Sequence, residues 1–228
     1  MSNIADNISL VSSRIHAATL AAGRDENSVQ LLAVSKTKPA EALREAYAAG
    51  LRDFGENYLQ EALGKQLELA DLPLVWHFIG PIQSNKTRAI AEHFAWVHSV
   101  DRLKIAQRLS EQRPADLPPL NICIQVNVSG EDSKSGCTPA DLPALARAIN
   151  GLPRLKLRGL MAIPEPTDDR AAQDAAFAAV RNLQASLDLP LDTLSMGMSH
   201  DLESAIAQGA TWVRIGTALF GARDYGQP

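Results

Sequence analysis

Lys36 closes the segment "LLAVSKTKP" at 31–39, where four apolar residues and Ser35 lead to an ammonium at the point a buried strand would be ending. A lysine at a strand tip is ordinarily a solvated surface charge. In a partly apolar pocket beside a second cation, the same amine becomes a nucleophile toward an aldehyde or a clamp for an anion. The second cation is Arg214 in "TWVRIGTALFG" at 211–221, with Gly216 and Thr217 two and three residues further on. The loop "SMGMSHD" at 195–201 adds Ser199 and Gly197. The two hydroxyls can donate to anionic oxygens, and the two glycines let backbone approach a ligand closely. Gly-Thr at a strand end is by itself turn chemistry. In company with two cations it describes a phosphate site.

These residues need a scaffold that brings position 36 next to position 214. Residues 4–22 carry Ile4, Ile8, Val11, Ile15 and Ala18 or Ala22 at helical spacing and stop at Gly23, so the chain opens with an amphipathic helix. Short apolar or β-branched runs follow at 31–36, 53–57, 74–80, 95–100, 121–128, 155–163, 193–197 and 212–216. Helix-like segments at 40–49, 58–69, 84–92, 102–112, 139–150, 169–187 and 201–208 separate them. Eight βα units in this length predict a closed (β/α)8 TIM-type barrel, with a doubly wound open sheet as the alternative. The last strand run has no full helix after it, and the extra N-terminal helix is expected to fill that place in the outer ring. No Ser/Gly linker or shift in composition divides the chain, so residues 1–228 read as one domain.

Alternate residues of a barrel strand point inward, and barrel sites form at the C-terminal strand ends. Leu32, Val34 and Lys36 then share one face, Trp212, Arg214 and Gly216 another, and Asp53, Gly55 and Asn57 a third. Closure makes the last strand a neighbour of the first and sets the two cations on one wall. Loops after the seventh and eighth strands of such barrels commonly hold phosphate. A phosphate-bearing ligand, a poised lysine and a nearby cation together point to pyridoxal phosphate held as a Schiff base. Burial and Arg214 would both disfavour the ammonium form of Lys36. The competing reading of Arg214 is an ion pair with a buried carboxylate such as Glu56.

The remaining composition narrows the function further. With 22 basic and 26 acidic residues among 228 the net charge is −4, and no basic run offers the footprint of a nucleic-acid binder. The opening residues lack a signal-peptide pattern and no stretch has the length of a membrane span, so a cytoplasmic protein is expected. Cys123 and Cys137 read as buried or idle thiols, and the five histidines show no ligand spacing for a metal. His77 reads as a core histidine bonded to a neighbour, with an acid/base role as the alternative. Gln83, Asn85 and Lys86 are placed at the mouth, Asp201 and Glu203 at a helix start, and Lys134 on a loop over the mouth.

The motifs "AVSKTKP" (33–39), "FGENYLQE" (54–61), "WHFIGPIQSNK" (76–86), "SVDR" (99–102), "QVNVSGEDSKSG" (125–136), "GLMAI" (159–163), "SMGMSHDLESAI" (195–206) and "VRIGTALFG" (213–221) run in order over nearly the whole chain. They resemble the pyridoxal phosphate homeostasis proteins, single-domain relatives of the alanine racemase barrel. The resemblance implies an internal aldimine on Lys36, Asn57 beside the cofactor, Ser199, Gly216 and Thr217 on its phosphate, and Arg214 facing the pyridine nitrogen. Met196 joins this cofactor-binding set. It further implies a monomeric or weakly associating protein that buffers or delivers pyridoxal phosphate, apo-enzymes being the candidate recipients, without strong catalysis. The racemases take a tyrosine base from a second domain. Nothing in this sequence after "GARDYGQP" supplies one, and Tyr225 is read as fraying. Two rivals remain: a slow racemase-like enzyme with Lys36 as base and Tyr58 or His77 as acid, and a phosphate-binding barrel isomerase in which Lys36 is only an ionic clamp.

Overall fold

The computed structural model describes residues 3–132 and 135–222. Helix α1 (Ile4–Ala21) starts at Asn3, whose side chain accepts from the Ala5 amide at 2.8 Å, and buries Ile8, Val11 and Ile15 along one face. Asparagine at this position answers one of the unpaired amides of the first turn. Eight βα units follow: β1 (Gln30–Val34), α2 (Ala40–Ala48), β2 (Asp53–Glu56), α3 (Leu59–Glu68), β3 (Val75–Phe78), α4 (Thr87–His93), β4 (Trp96–Val100), α5 (Leu103–Gln112), β5 (Leu120–Gln125), α6 (Leu142–Asn150), β6 (Leu155–Met161), α7 (Arg170–Ala185), β7 (Thr193–Ser195), α8 (Leu202–Ala207), β8 (Trp212–Ile215) and α9 (Thr217–Phe220). A short 3₁₀ turn at Ser84–Lys86 precedes α4. The strands are all parallel and close in sequence order, β8 pairing with β1. This is the expected TIM-type barrel.

Register puts Leu32 opposite Arg214 and Val34 opposite Gly55. The main core lies between barrel and helices and includes Ala33, Phe54, Val97, Ile124 and Val213. A second set, Leu32, Ile79, Trp212 and Trp96, Cys123, Met161, fills the barrel itself. Alternation along each strand therefore separates the two layers as the pleat requires. Helix α1 packs on α2, α8 and α9 and completes the outer ring. Among the described residues no helix is long and apolar enough to cross a membrane.

All the strands but β4 end earlier than their apolar runs. Lys36, Asn57 and Gly216 lie just beyond the paired residues, in loops whose shape is set locally. Thr37 takes φ 66°, left-handed backbone that lets the Lys38 amide turn back onto the Ser35 carbonyl at 3.1 Å. Gly197 follows β7 with φ 99°, and a Cβ there would lie 2.5 Å from the Ala205 Cβ. Its carbonyl accepts the Arg214 amide at 2.9 Å. Gly197→Ala is accordingly expected to destabilise the fold by about 2–4 kcal/mol, through strain plus overpacking. Denaturant midpoints measure this. A change below about 0.5 kcal/mol would show that the loop relaxes freely.

Candidate functional site

A cavity of about 200 Å³ opens at the C-terminal ends of β1, β7 and β8, lined by Val34, Lys36, Lys38, Met198, Ser199, His200, Arg214, Gly216, Thr217 and Gly221. Lys36, Ser199, Arg214, Gly216 and Thr217 were expected from sequence and meet here. Asn57 and Met196 are not among the lining residues. Asn57 sits at the tip of β2, where Gly80 comes so close that a Cβ would collide with the Asn57 carbonyl oxygen. Its side-chain oxygen is buried without a hydrogen-bond partner among the described residues. Met196 is fully buried in the core between barrel and helices. The inward position of the preceding Ser195 sends Met196 to the opposite face of the strand.

A buried ion cluster holds the loop that carries Lys36. Lys65 on α3 donates to the Ser35 carbonyl at 2.7 Å, to Glu56 Oε1 at 2.7 Å and to Glu61 Oε1 at 2.6 Å. Ser35 Oγ donates to the same Glu56 oxygen at 2.8 Å, and the Thr37 amide donates to Glu61 at 2.6 Å. The carbonyl before Lys36 and the amide after it are thus both pinned. Burial raises the carboxyl of Glu56 above its ordinary range, while Lys65 and Ser35 pull the other way. Glu56 is therefore the partner of Lys65, and the ion pair considered between Glu56 and Arg214 is not formed.

Arg214 is 4% exposed, and burial lowers its guanidinium to a pKa of about 10. It remains a cation at neutral pH. Nη1 donates to Ser195 Oγ at 2.8 Å and Nη2 to the Ala162 carbonyl at 3.0 Å. Behind it runs a polar chain through the barrel: Ser195 Oγ lies 2.7 Å from His98 Nδ1, His98 Nε2 lies 2.9 Å from His77 Nδ1, and His77 Nε2 lies 2.8 Å from Asp53 Oδ1. His77 is a core histidine bonded to its neighbours. His98 and Ser195 escaped notice, since nothing local in "WVHSV" or "TLS" marks a contact 97 positions away.

The opposite wall is braced from α1. Arg14 donates to the Ser199 carbonyl at 2.9 Å and pairs with Glu203 at 2.8 and 3.0 Å. Asp201 accepts the Met198 amide at 2.7 Å, so Asp201 and Glu203 shape the loop as well as start α8. Lys38 reaches the Ala222 carbonyl at 2.7 Å. Lys38 was not singled out from sequence, although it continues the alternation of Leu32, Val34 and Lys36. Gln83 and Asn85 are exposed and Lys86 half-buried, outside the cavity. Lys134 and Tyr225 lie outside the described residues. Burial pushes Cys123 and Cys137 up to about 12 and about 11, leaving inert thiols. No group of three His, Cys, Asp or Glu among the described residues is arranged for a metal.

Residues 2–224 match the alanine racemase N-terminal domain. A pyridoxal phosphate homeostasis protein of Pseudomonas aeruginosa is 78% identical over 228 residues, covering 100% of this chain and 99% of that protein. The chain belongs to this family. The resemblance carried by the motifs is confirmed over its full length. PipY of Synechococcus elongatus, a structure with PLP bound, is 44% identical with a TM-score of 0.85, covering 96% of this chain and 100% of that one. Alanine racemase of Corynebacterium glutamicum shares the fold at 18% identity and TM-score 0.68, covering 99% of this chain and 63% of that one.

The paired imidazoles give this family member a pH signature. Burial lowers His77 below 6.5, opposed by Asp53, and lowers His98 well below it, helped by His77 and Arg214. Folding thus favours the neutral form of both, whereas in the unfolded chain each takes up a proton near its ordinary pKa. Below that value the unfolded state binds more protons, so stability falls with pH, by at most about 1.4 kcal/mol per pH unit for each histidine. His98→Gln is expected to flatten the decline of the denaturant midpoint between about pH 7 and about pH 5.5. An unchanged slope would show that His98 is charged in the fold.

Proposed function

We propose that the chain binds pyridoxal 5'-phosphate in this cavity through Lys36 and buffers or delivers it, without strong catalysis of its own. The observation that carries this reading is the convergence of Lys36, Arg214, Ser199 and Thr217 on one cavity. That donor set fits the group: an amine for its aldehyde, hydroxyls for its phosphate and a guanidinium for its ring nitrogen. The bound form of PipY at 44% identity supports it, as does the name of the Pseudomonas relative. When bound, the cofactor supplies an electrophilic carbonyl and an electron-withdrawing ring.

In this reading Lys36 holds the ligand, and Ser199, Thr217 and the Gly216 backbone hold its phosphate. Asn57, whose buried side-chain oxygen has no hydrogen-bond partner among the described residues, would lie beside it at the β2 tip, and Arg214 would donate to the ring nitrogen. A guanidinium has hydrogens to give and none of the acceptor capacity of a carboxylate. It leaves the ring nitrogen without its own proton and restrains carbanion chemistry. Tyr58 is 52% exposed and outside the lining of the cavity, and both nitrogens of His77 are engaged in the barrel interior. Neither favours the racemase-like alternative. An ionic clamp without a covalent bond would leave no lysine adduct after borohydride reduction. We place the protein in the cytoplasm as a monomer, with apo-enzymes that require this cofactor as recipients.

The loaded protein is expected to exchange the α-proton of alanine with deuterium no faster than free pyridoxal phosphate does, and to activate an apo-enzyme on mixing. Each well-placed acid or base would otherwise add about 10²–10⁴ in rate. Rapid exchange that depends on Lys36, joined with failure to activate an apo-enzyme, would replace the carrier reading with the racemase-like one.

A further inference from the structure

With His77 neutral, the chain of contacts behind Arg214 has only one consistent direction. A guanidinium donates and never accepts, so the Ser195 oxygen accepts from Arg214 Nη1 across 2.8 Å. At the far end, Asp53 as a carboxylate only accepts, so His77 carries its hydrogen on Nε2, 2.8 Å away. A neutral His77 then presents Nδ1 as an acceptor, and His98, 2.9 Å off, must carry its hydrogen on Nε2. That leaves His98 Nδ1 to accept the Ser195 hydroxyl hydrogen at 2.7 Å. Donation runs without a break from Arg214 through Ser195, His98 and His77 to Asp53. Burial, which disfavours the charged form of both imidazoles, is consistent with this assignment.

The surroundings argue against simple filling of space. Barrel interiors are ordinarily packed with branched apolar side chains, which would stabilise the fold at least as well as a buried polar chain. Here His77, His98 and Ser195 have no exposed surface. Trp96 stacks on His77 at 5.4 Å and 12°, and Trp212 meets the same ring edge-on at 4.9 Å. The indoles exclude water and strengthen the bonds they enclose. Of the four residues behind Arg214, Asp53, with its side chain 28% exposed at the start of β2, reaches solvent at the end of the barrel opposite the cavity.

We propose that Asp53 is a positioning residue for the cavity: acting through His77, His98 and Ser195, it fixes the direction of the Ser195 hydroxyl and with it the orientation of the Arg214 guanidinium toward the ligand. The effect on the ligand rests on the reading of the cavity as a pyridoxal phosphate site, whereas the direction of the chain is a property of the protein alone.

Nitrogen–proton correlation spectra of the full chain, labelled on histidine and arginine, test the two separately. His77 and His98 are each expected to carry hydrogen on Nε2 alone, with and without pyridoxal phosphate. Hydrogen on His98 Nδ1 reverses the chain and overturns the proposal, and this measurement needs no variant. Asp53→Asn is isosteric, yet its amide can turn either oxygen or NH₂ toward His77. It is expected to populate a second tautomer, broaden the Arg214 Nη signals and weaken pyridoxal phosphate binding about tenfold. Ser195→Ala should lose as much, and Asp53→Asn should add nothing to it. Additive losses, or Arg214 signals in Asp53→Asn that match the unmodified chain, overturn the proposal. If the unmodified chain fails to bind pyridoxal phosphate, the site reading falls and the tautomers and Arg214 signals still decide the relay.

Discussion

Moving a guanidinium from water into a protein interior costs several kcal/mol unless its hydrogens find acceptors, and Arg214 has almost no access to water. Much of the barrel answers to that constraint. Ala162 at the end of β6 gives one acceptor and Ser195 at the end of β7 the other. The Ser195 hydroxyl must then find an acceptor of its own, and His98 provides it from the far side of the barrel. Each step inward passes the same demand on, until Asp53 meets it at the opposite end. A cation is thereby held at the cavity with its geometry settled before any ligand arrives, which is how binding energy escapes being spent on ordering.

Lys36 is held differently. Its neighbours in the chain are tied down by Lys65, Glu56 and Glu61, and those contacts involve the backbone on either side of it. The side chain itself projects from a fixed loop into the cavity. From the other side, Arg14 carries the support of α1 to the Ser199 loop. The helix that completes the outer ring thus also braces one wall of the site.

The barrel was legible because each strand and helix leaves its own period in the sequence. The inward faces of β1 and β8 followed from alternation alone, and so did the meeting of Lys36 with Arg214. Strand ends were less legible: the apolar run at 74–80 contains the paired residues Val75–Phe78 and two more that already belong to the loop. Lys65 was overlooked because a lysine on an amphipathic helix reads as solvated, and only the docking of α3 against the β2 tip turns it inward. The same limit hid His98 and Ser195, whose meaning lies in a contact between strands three places apart in the chain. Met196 follows the inward-facing Ser195 at the end of β7, and the pleat turns its side chain into the core between barrel and helices.

The central claim is that Lys36 forms the covalent bond with the ligand, and borohydride reduction of the chain loaded with pyridoxal phosphate tests it most directly. Peptide mass mapping should find the reduced adduct on Lys36, and Lys36→Ala should lose the visible band while unfolding at nearly the same denaturant concentration, since a half-buried loop lysine contributes little to the core. An adduct on Lys38 or another lysine, together with a Lys36→Ala protein that keeps its colour, would contradict the account.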